Sequence, residues 1–172
     1  MSTGEDAEFT ALVERQSRFA FRVAYAVLVN AADAEDVVQE TFLKLYRSGE
    51  WREAQNERAY LARVAWRTAV DRRRTLGRPE DGCDDLPECA AAEADPEEQA
   101  VMADRTAWVH AMIDALPEEL RVPLVMAANE ELNSREIGEA LGIPEGTVRT
   151  RLQRARQMLR RKLAGLEAAR YA

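Results

Sequence analysis

Six side chains with hydrogen-bonding groups to offer, Thr147, Arg149, Thr150, Arg151, Gln153 and Arg154, crowd together near the C-terminal end of this chain, with Arg156 just beyond. Threaded among them, Val148, Leu152, Ala155, Leu159 and Leu163 recur at spacings of three and four, the apolar stripe of an amphipathic helix. The donors are thereby forced to the sides and outer face. Guanidinium, amide and hydroxyl groups so presented can reach phosphates and the guanine edges exposed in a DNA major groove. A merely solvated face is the alternative, but residues 134–172 carry nine bases against four acids, a local cation.

The residues just upstream position that helix. Asn133 can cap a short helix with Glu136 answering three residues later. Ile137 and Leu141 give it an apolar face, and Gly142 permits the left-handed turn that ends it. Pro144 then opens the next helix, where a missing N–H costs nothing. Two helices around a glycine turn, the second carrying the donors, make a helix-turn-helix.

A second group of candidates lies in residues 56–74. There Leu61, Val64, Ala65 and Thr68 fall on one face, while Tyr60, Arg63, Trp66, Arg67 and Asp71 turn elsewhere. Aromatics interleaved with arginines favour base stacking combined with phosphate contact, although packing is the commoner role for a tryptophan such as Trp66. Trp51 and Trp108 read as packing residues. A third group lies in residues 33–46, where acids sit at the positive end of a helix. Asp36, Gln39, Glu40 and Lys44 there lie opposite Val37, Val38, Thr41, Phe42, Leu45 and Tyr46. A polar stripe beside an apolar one suits docking on another protein; a plain surface helix is the alternative.

The elements that carry these groups are all helical. From Glu8 to Arg74 the only Gly or Pro is Gly49, and apolar residues recur at helical spacing over 9–28, 34–46 and 57–73. Residues 76–100 hold three prolines, two glycines and nine acids against one arginine, a composition that cannot bury enough surface to order itself. The expected fold is all-α: a helical domain over 1–75, a flexible acidic linker over 76–100 and a second helical domain over 101–172. As a coil the linker reaches roughly 25 to 30 Å, and fully stretched about 80 to 90 Å. Each small domain is marginal alone, since chains of that size bury only about 60% of their unfolded surface.

Charge is segregated along the chain. The net charge of −7 divides into 0 over residues 1–75, −12 over 76–133 and +5 over 134–172. Salt screens charges beyond roughly 8 Å, so phosphates at the C-terminal end feel the nearby arginines rather than the distant acids. There is no run of the roughly eighteen apolar residues that a membrane span requires, and the first residues lack a signal-peptide core; a cytoplasmic protein with no direct membrane contact is expected. Cys83 and Cys89 sit in the acidic stretch far from His110, the only histidine, short of the ligands zinc wants. Acidic pairs such as Glu35 with Asp36 lie at helix starts rather than in a cleft that shifts pKa values. No catalytic residue, metal or cofactor is expected, and the chain does not read as an enzyme.

Three blocks carry a resemblance to a known family. DAEDVVQETFLKLYR at 33–47, AYLARVAWRTAVDRRR at 59–74, and LPEELRVPLVM at 116–126 followed by SREIGEALGIPEGTVRTRLQRAR look like the signatures of a group IV, extracytoplasmic-function (ECF) sigma factor of bacterial RNA polymerase. The likeness covers roughly residues 8–166. It implies a promoter-specificity subunit that binds polymerase core through the largest-subunit coiled coil and the flap. It implies docking by Asp36, Gln39 and Glu40, and recognition and melting of the −10 element by Asn56, Tyr60, Arg63, Trp66 and Arg67. Contact with the −35 element falls to Thr147, Arg149, Thr150, Arg151, Gln153 and Arg154. By the same likeness the loop 50–56 pockets a flipped base, and an anti-sigma factor holds the protein inactive. Trp66-Arg67 departs from the Arg-Asn the family often has, and Gly138 stands where Ala is usual, loosening its helix by about 1 kcal/mol. A stand-alone helix-turn-helix regulator explains residues 116–166 only, and an interaction adaptor explains none of the arginine row.

Overall fold

The helical spacing of the apolar residues is realised in the computed structural model, which describes the backbone of residues 3–78, 97–128 and 132–170 and the side chains of 4–78, 106–128 and 132–165. Its elements are α1 (Thr3–Leu28), α2 (Ala31–Ser48), a 3-10 turn (Glu50–Arg52), α3 (Glu57–Thr75), α4 (Glu97–Asp114), α5 (Glu118–Ala127), α6 (Ser134–Leu141) and α7 (Glu145–Arg170). Among the described residues there is no strand. The expected linker falls largely on residues 79–96, and Cys83 and Cys89 fall within them, outside the described residues.

Helices α1, α2 and α3 pack on one another. Val29 closes the α1–α2 turn at φ 48°, after which Asn30 caps α2 by accepting from the Asp33 amide at 3.0 Å. Gly49, at φ 68°, supplies the left-handed residue that ends α2. Phe9 anchors the N-terminal end, its ring 6.2 Å from Phe42, 5.0 Å from Tyr46 and 5.7 Å from Trp51, so Trp51 is a packing residue. On α3 the buried set is Leu61, Ala62, Ala65, Thr68, Ala69 and Arg73, whereas Val64 is only half-buried.

In the C-terminal half, the Glu136 amide donates to Asn133 Oδ1 at 3.0 Å and the Asn133 amide to Glu136 Oε2 at 2.8 Å, the reciprocal capping box. Gly142 ends α6 at φ 69°, and Pro144 sits one residue ahead of α7. The α7 stripe is buried at Val148, Leu152 and Ala155; it loosens at Leu159 and is open by Leu163, which is 39% exposed. Gly138 has a role its propensity does not reveal: a Cβ there would lie 2.7 Å from the Ile143 carbonyl oxygen. Alanine would strengthen α6 but push the Gly142 turn away.

The two halves, whose linker is long enough to let them stand well apart, here bury one continuous cluster that includes Leu12, Val23, Leu61, Val122, Ile137, Val148 and Leu152. Helix α5 lies on α1, and α6 lies on α3. Two halves too small to hide their apolar faces separately gain by covering one another.

Candidate nucleic-acid and docking interfaces

The helix-turn-helix donors divide by position around α7. Arg149, Thr150, Gln153 and Arg154 are exposed and Thr147 half-exposed, while the apolar stripe opposite them is buried. Among the described residues Arg149 pairs with Glu145 one turn back, and Thr150 Oγ donates to the Gly146 carbonyl oxygen at 3.0 Å. Arg151 is different: its side chain is 28% exposed and turned toward Glu119 of α5, 3.9 Å away. Four outward donors with Thr147 at their edge therefore share the outer surface, and Arg151 belongs to its inner margin. Arg156 and Arg160 continue the exposed basic side toward the end of the helix.

On α3, Asn56, Tyr60, Arg63 and Arg67 follow at spacings of three and four, so one helix edge carries all four. Asn56 caps α3, its Oδ1 accepting from the Ala59 amide at 3.0 Å. The Tyr60 hydroxyl donates to Glu50 Oε2 at 2.6 Å, and the Arg63 guanidinium lies 5.2 Å from the centre of the Tyr60 ring, a cation–π pair. Burial, and then the bond to Glu50, push the Tyr60 hydroxyl above its ordinary value of 10.0, so it remains a neutral donor. The 3-10 turn is thereby fastened to α3. Arg67 is open to solvent; Trp66 is half-buried and helps line a cleft of about 470 Å³ with Pro117, Val122, Leu141, Ile143 and Arg151.

Asn56, Tyr60 and Arg63 also line a larger cleft, about 580 Å³, whose opposite wall is Asn133, Arg135, Glu136 and Glu139 of the helix-turn-helix. The Asn56 amide donates to Glu136 Oε1 at 2.6 Å across it. No sequence signal pointed to that juxtaposition, because the partners lie 80 residues apart.

On α2, Asp36, Gln39 and Glu40 are exposed on one side. Arg72 of α3 reaches Asp36 at 3.1 Å, and Glu40 pairs with Lys44 at 2.8 Å. The polar stripe has an apolar member that the sequence reading passed over, Leu43, which is 53% exposed one turn beyond Gln39 and Glu40. Among the described residues no group of three or more His, Cys, Asp or Glu could hold a metal ion, and no helix is long and apolar enough to cross a membrane.

Residues 12–78 match the family model "Sigma-70 region 2", and residues 106–159 match "Sigma-70, region 4". The chain is 34% identical over 168 residues to ECF RNA polymerase sigma factor SigE of Mycolicibacterium smegmatis, spanning 95% of this chain and 65% of that one. It is 30% identical to ECF RNA polymerase sigma factor SigW of Bacillus subtilis, across 95% of this chain and 92% of the relative. The ECF RNA polymerase sigma-E factor of Escherichia coli is 31% identical over 95% and 90% of the two chains. In fold it resembles CnrH, solved in complex with the cytosolic domain of CnrY, with a TM-score of 0.63, 21% identity and coverage of 93% and 90%.

Proposed function

The chain belongs to the sigma-70 family, in its extracytoplasmic-function group, as a promoter-recognising sigma subunit of RNA polymerase, and from that premise we propose how its surfaces divide the work. The outer face of α7, through Thr147, Arg149, Thr150, Gln153 and Arg154 with Arg151 at its margin, enters the major groove of the −35 element. The observation that carries this is the exposure of those donors opposite a buried stripe on a helix held by a capped α6 and a glycine turn. The edge of α3 formed by Asn56, Tyr60, Arg63 and Arg67, with Trp66 beside it, takes the −10 strand. Stacking on aromatic rings is worth about 1–3 kcal/mol per base, enough to offset the few kcal/mol of extruding one. Tyr60, fixed by Glu50 and overlain by Arg63, offers such a ring beside the loop 50–56.

Asp36, Gln39 and Glu40, together with Leu43, form the docking stripe for polymerase core, where the largest-subunit coiled coil is the expected contact and the flap meets the second domain. The chain works as two domains, 1–75 and 101–172, joined through 76–100. It acts in the cytoplasm without cofactor or catalytic group of its own, and an anti-sigma factor restrains it. The decisive experiment is run-off transcription with purified core polymerase and a promoter library. Transcripts starting at defined sites only when this chain is added are expected; failure to co-purify with core would end the proposal.

A further inference from the structure

Asp36, on the docking stripe of α2, is already in contact with the helix assigned to promoter DNA. Arg72, near the end of α3, brings Nη2 to 3.1 Å from Asp36 Oδ2 and 3.6 Å from Asp33 Oδ1. Arg78, just beyond α3, takes Asp33 Oδ2 at 2.7 Å. The two acids differ in setting: the Asp33 side chain is 15% exposed and that of Asp36 59%. An ion pair gains more where less water surrounds it, so an Arg72 offered both acids free would settle on Asp33. It stands nearer Asp36 because Arg78 already neutralises Asp33. Nε of Arg72 is buried and finds no acceptor among the described residues, so Nη2 and the two acids set where the guanidinium lies.

We propose that Arg72 is a positioning residue for polymerase docking and Arg78 its support: Arg78 occupies Asp33, which leaves Arg72 to hold the Asp36 carboxylate in the orientation that core polymerase meets. The inference rests on the reading of Asp36 as a docking residue. An aspartate this exposed turns between rotamers, and ordering it at the moment of contact costs affinity that a side chain ordered beforehand does not lose. Arg72 orders the acid without using it up. It donates to Oδ2, and among the described residues nothing donates to Oδ1. A carboxylate accepts at both oxygens, so an arginine or lysine of the polymerase can share Asp36 with Arg72.

Charge and orientation act on different rates. Neutralising Arg72 leaves the surface of α2 more acidic, which does not slow the approach of a partner cation. Losing the orientation shortens the life of the complex once formed. The test follows association and dissociation of core polymerase on the immobilised full chain. Arg72→Gln is expected to dissociate about two- to tenfold faster, the range set by ordering one side chain at an interface, with association not slowed. Asp36→Asn should also dissociate faster. In the Asp36→Asn background Arg72→Gln should add nothing, since no carboxylate is left to hold; a structural role for Arg72 would instead add in full. Arg74→Gln removes the same charge from an exposed site on α3 and should dissociate as the wild type.

Arg78→Gln lies outside the helix and carries the same test should Arg72→Gln unfold. With Asp33 vacated, Arg72 falls back on it and releases Asp36, so dissociation should again quicken, and again only while Asp36 is present. Arg72→Gln that dissociates as the wild type overturns the proposal, as does an effect of full size in the Asp36→Asn background or slower association with unchanged dissociation. Unaltered dissociation in Arg78→Gln removes the support that the proposal needs. Asp36→Asn that dissociates as the wild type takes Asp36 out of docking, and the positioning role falls with it. Faster dissociation for Asp36→Asn beside a silent Arg72→Gln overturns the positioning role alone and leaves the docking assignment standing.

Discussion

Arg121 puts a fully buried guanidinium against the end of another helix: its Nε donates to the Ala26 carbonyl oxygen at 2.6 Å, while Nη1 donates to Asp114 and Leu116 carbonyl oxygens at 2.9 and 2.7 Å. The last turn of α1 has carbonyls that no amide of its own helix can satisfy, and the planar fork of arginine supplies donors in fixed directions. One side chain thus ties α5 to both α1 and the α4–α5 turn. Arg121→Met strands these carbonyls, each at about 1–3 kcal/mol, with partial relief from removing a buried charge. A net loss of about 2–4 kcal/mol in urea unfolding is expected, and an unchanged midpoint would contradict the role.

Gly138→Ala sets helix propensity against packing. Alanine gains about 1 kcal/mol in a helix interior, but its Cβ meets the Ile143 carbonyl oxygen at 2.7 Å, and backbone cannot swing aside as a side-chain tip can. Overpacking costs about 1–3 kcal/mol, so the variant should unfold at lower urea than the wild type and bind promoter DNA less tightly. Greater stability in the alanine variant would mean the turn accommodates the methyl group freely.

Acid should favour the contact between α1 and α4. Burial raises the Asp114 carboxyl above its ordinary 3.8, with Arg121, the Tyr25 hydroxyl and His110 opposing only in part. A raised folded-state value means the native form holds the proton more tightly than the unfolded chain. Stability from this group is therefore full below 3.8 and lost as pH rises through the folded value. Asp114→Asn removes that titration while keeping an acceptor for Tyr25. The stability of wild type relative to Asp114→Asn should fall across that window, measured by urea midpoints at stepped pH; a flat difference would contradict the assignment.

The outer face of α7 should be separable from folding. Arg149 and Arg154 are exposed, and the Arg149–Glu145 pair on one helix face is worth only about 0.3–0.5 kcal/mol. Arg149→Ala with Arg154→Ala should leave thermal unfolding nearly unchanged and abolish activity at the cognate promoter in run-off assays. If both arginines touch phosphates, the slope of log affinity against log salt falls by about 1.8, roughly 0.9 for each. Full promoter activity in the double variant would remove α7 from recognition.

The docking stripe gives the complementary case. Leu43→Glu and Gln39→Ala change exposed side chains, so native stability should hold within about 0.5 kcal/mol. Capture of core polymerase on immobilised protein should drop at least about tenfold, which corresponds to 1.4 kcal/mol. Undiminished capture would place docking elsewhere.

Sequence alone determined most of the helices and the helix-turn-helix with its cap. Asn133 with Glu136, Gly142 and the valine-leucine-alanine stripe of α7 each act within four residues, the reach of one helical turn, so neighbouring letters suffice to read them. The exposed sides of α2, α3 and α7 followed by subtraction. Where one half meets the other was decided only in three dimensions. Asn56 and Glu136 stand 80 residues apart, Arg121 and Ala26 95, and nothing local distinguishes an arginine bound for the core from one bound for water. The residues alone therefore leave the meeting of the halves open and show at Gly138 only a loss of helix propensity. Packing decides both, because burial is a property of what a side chain meets across space rather than of the turn that carries it.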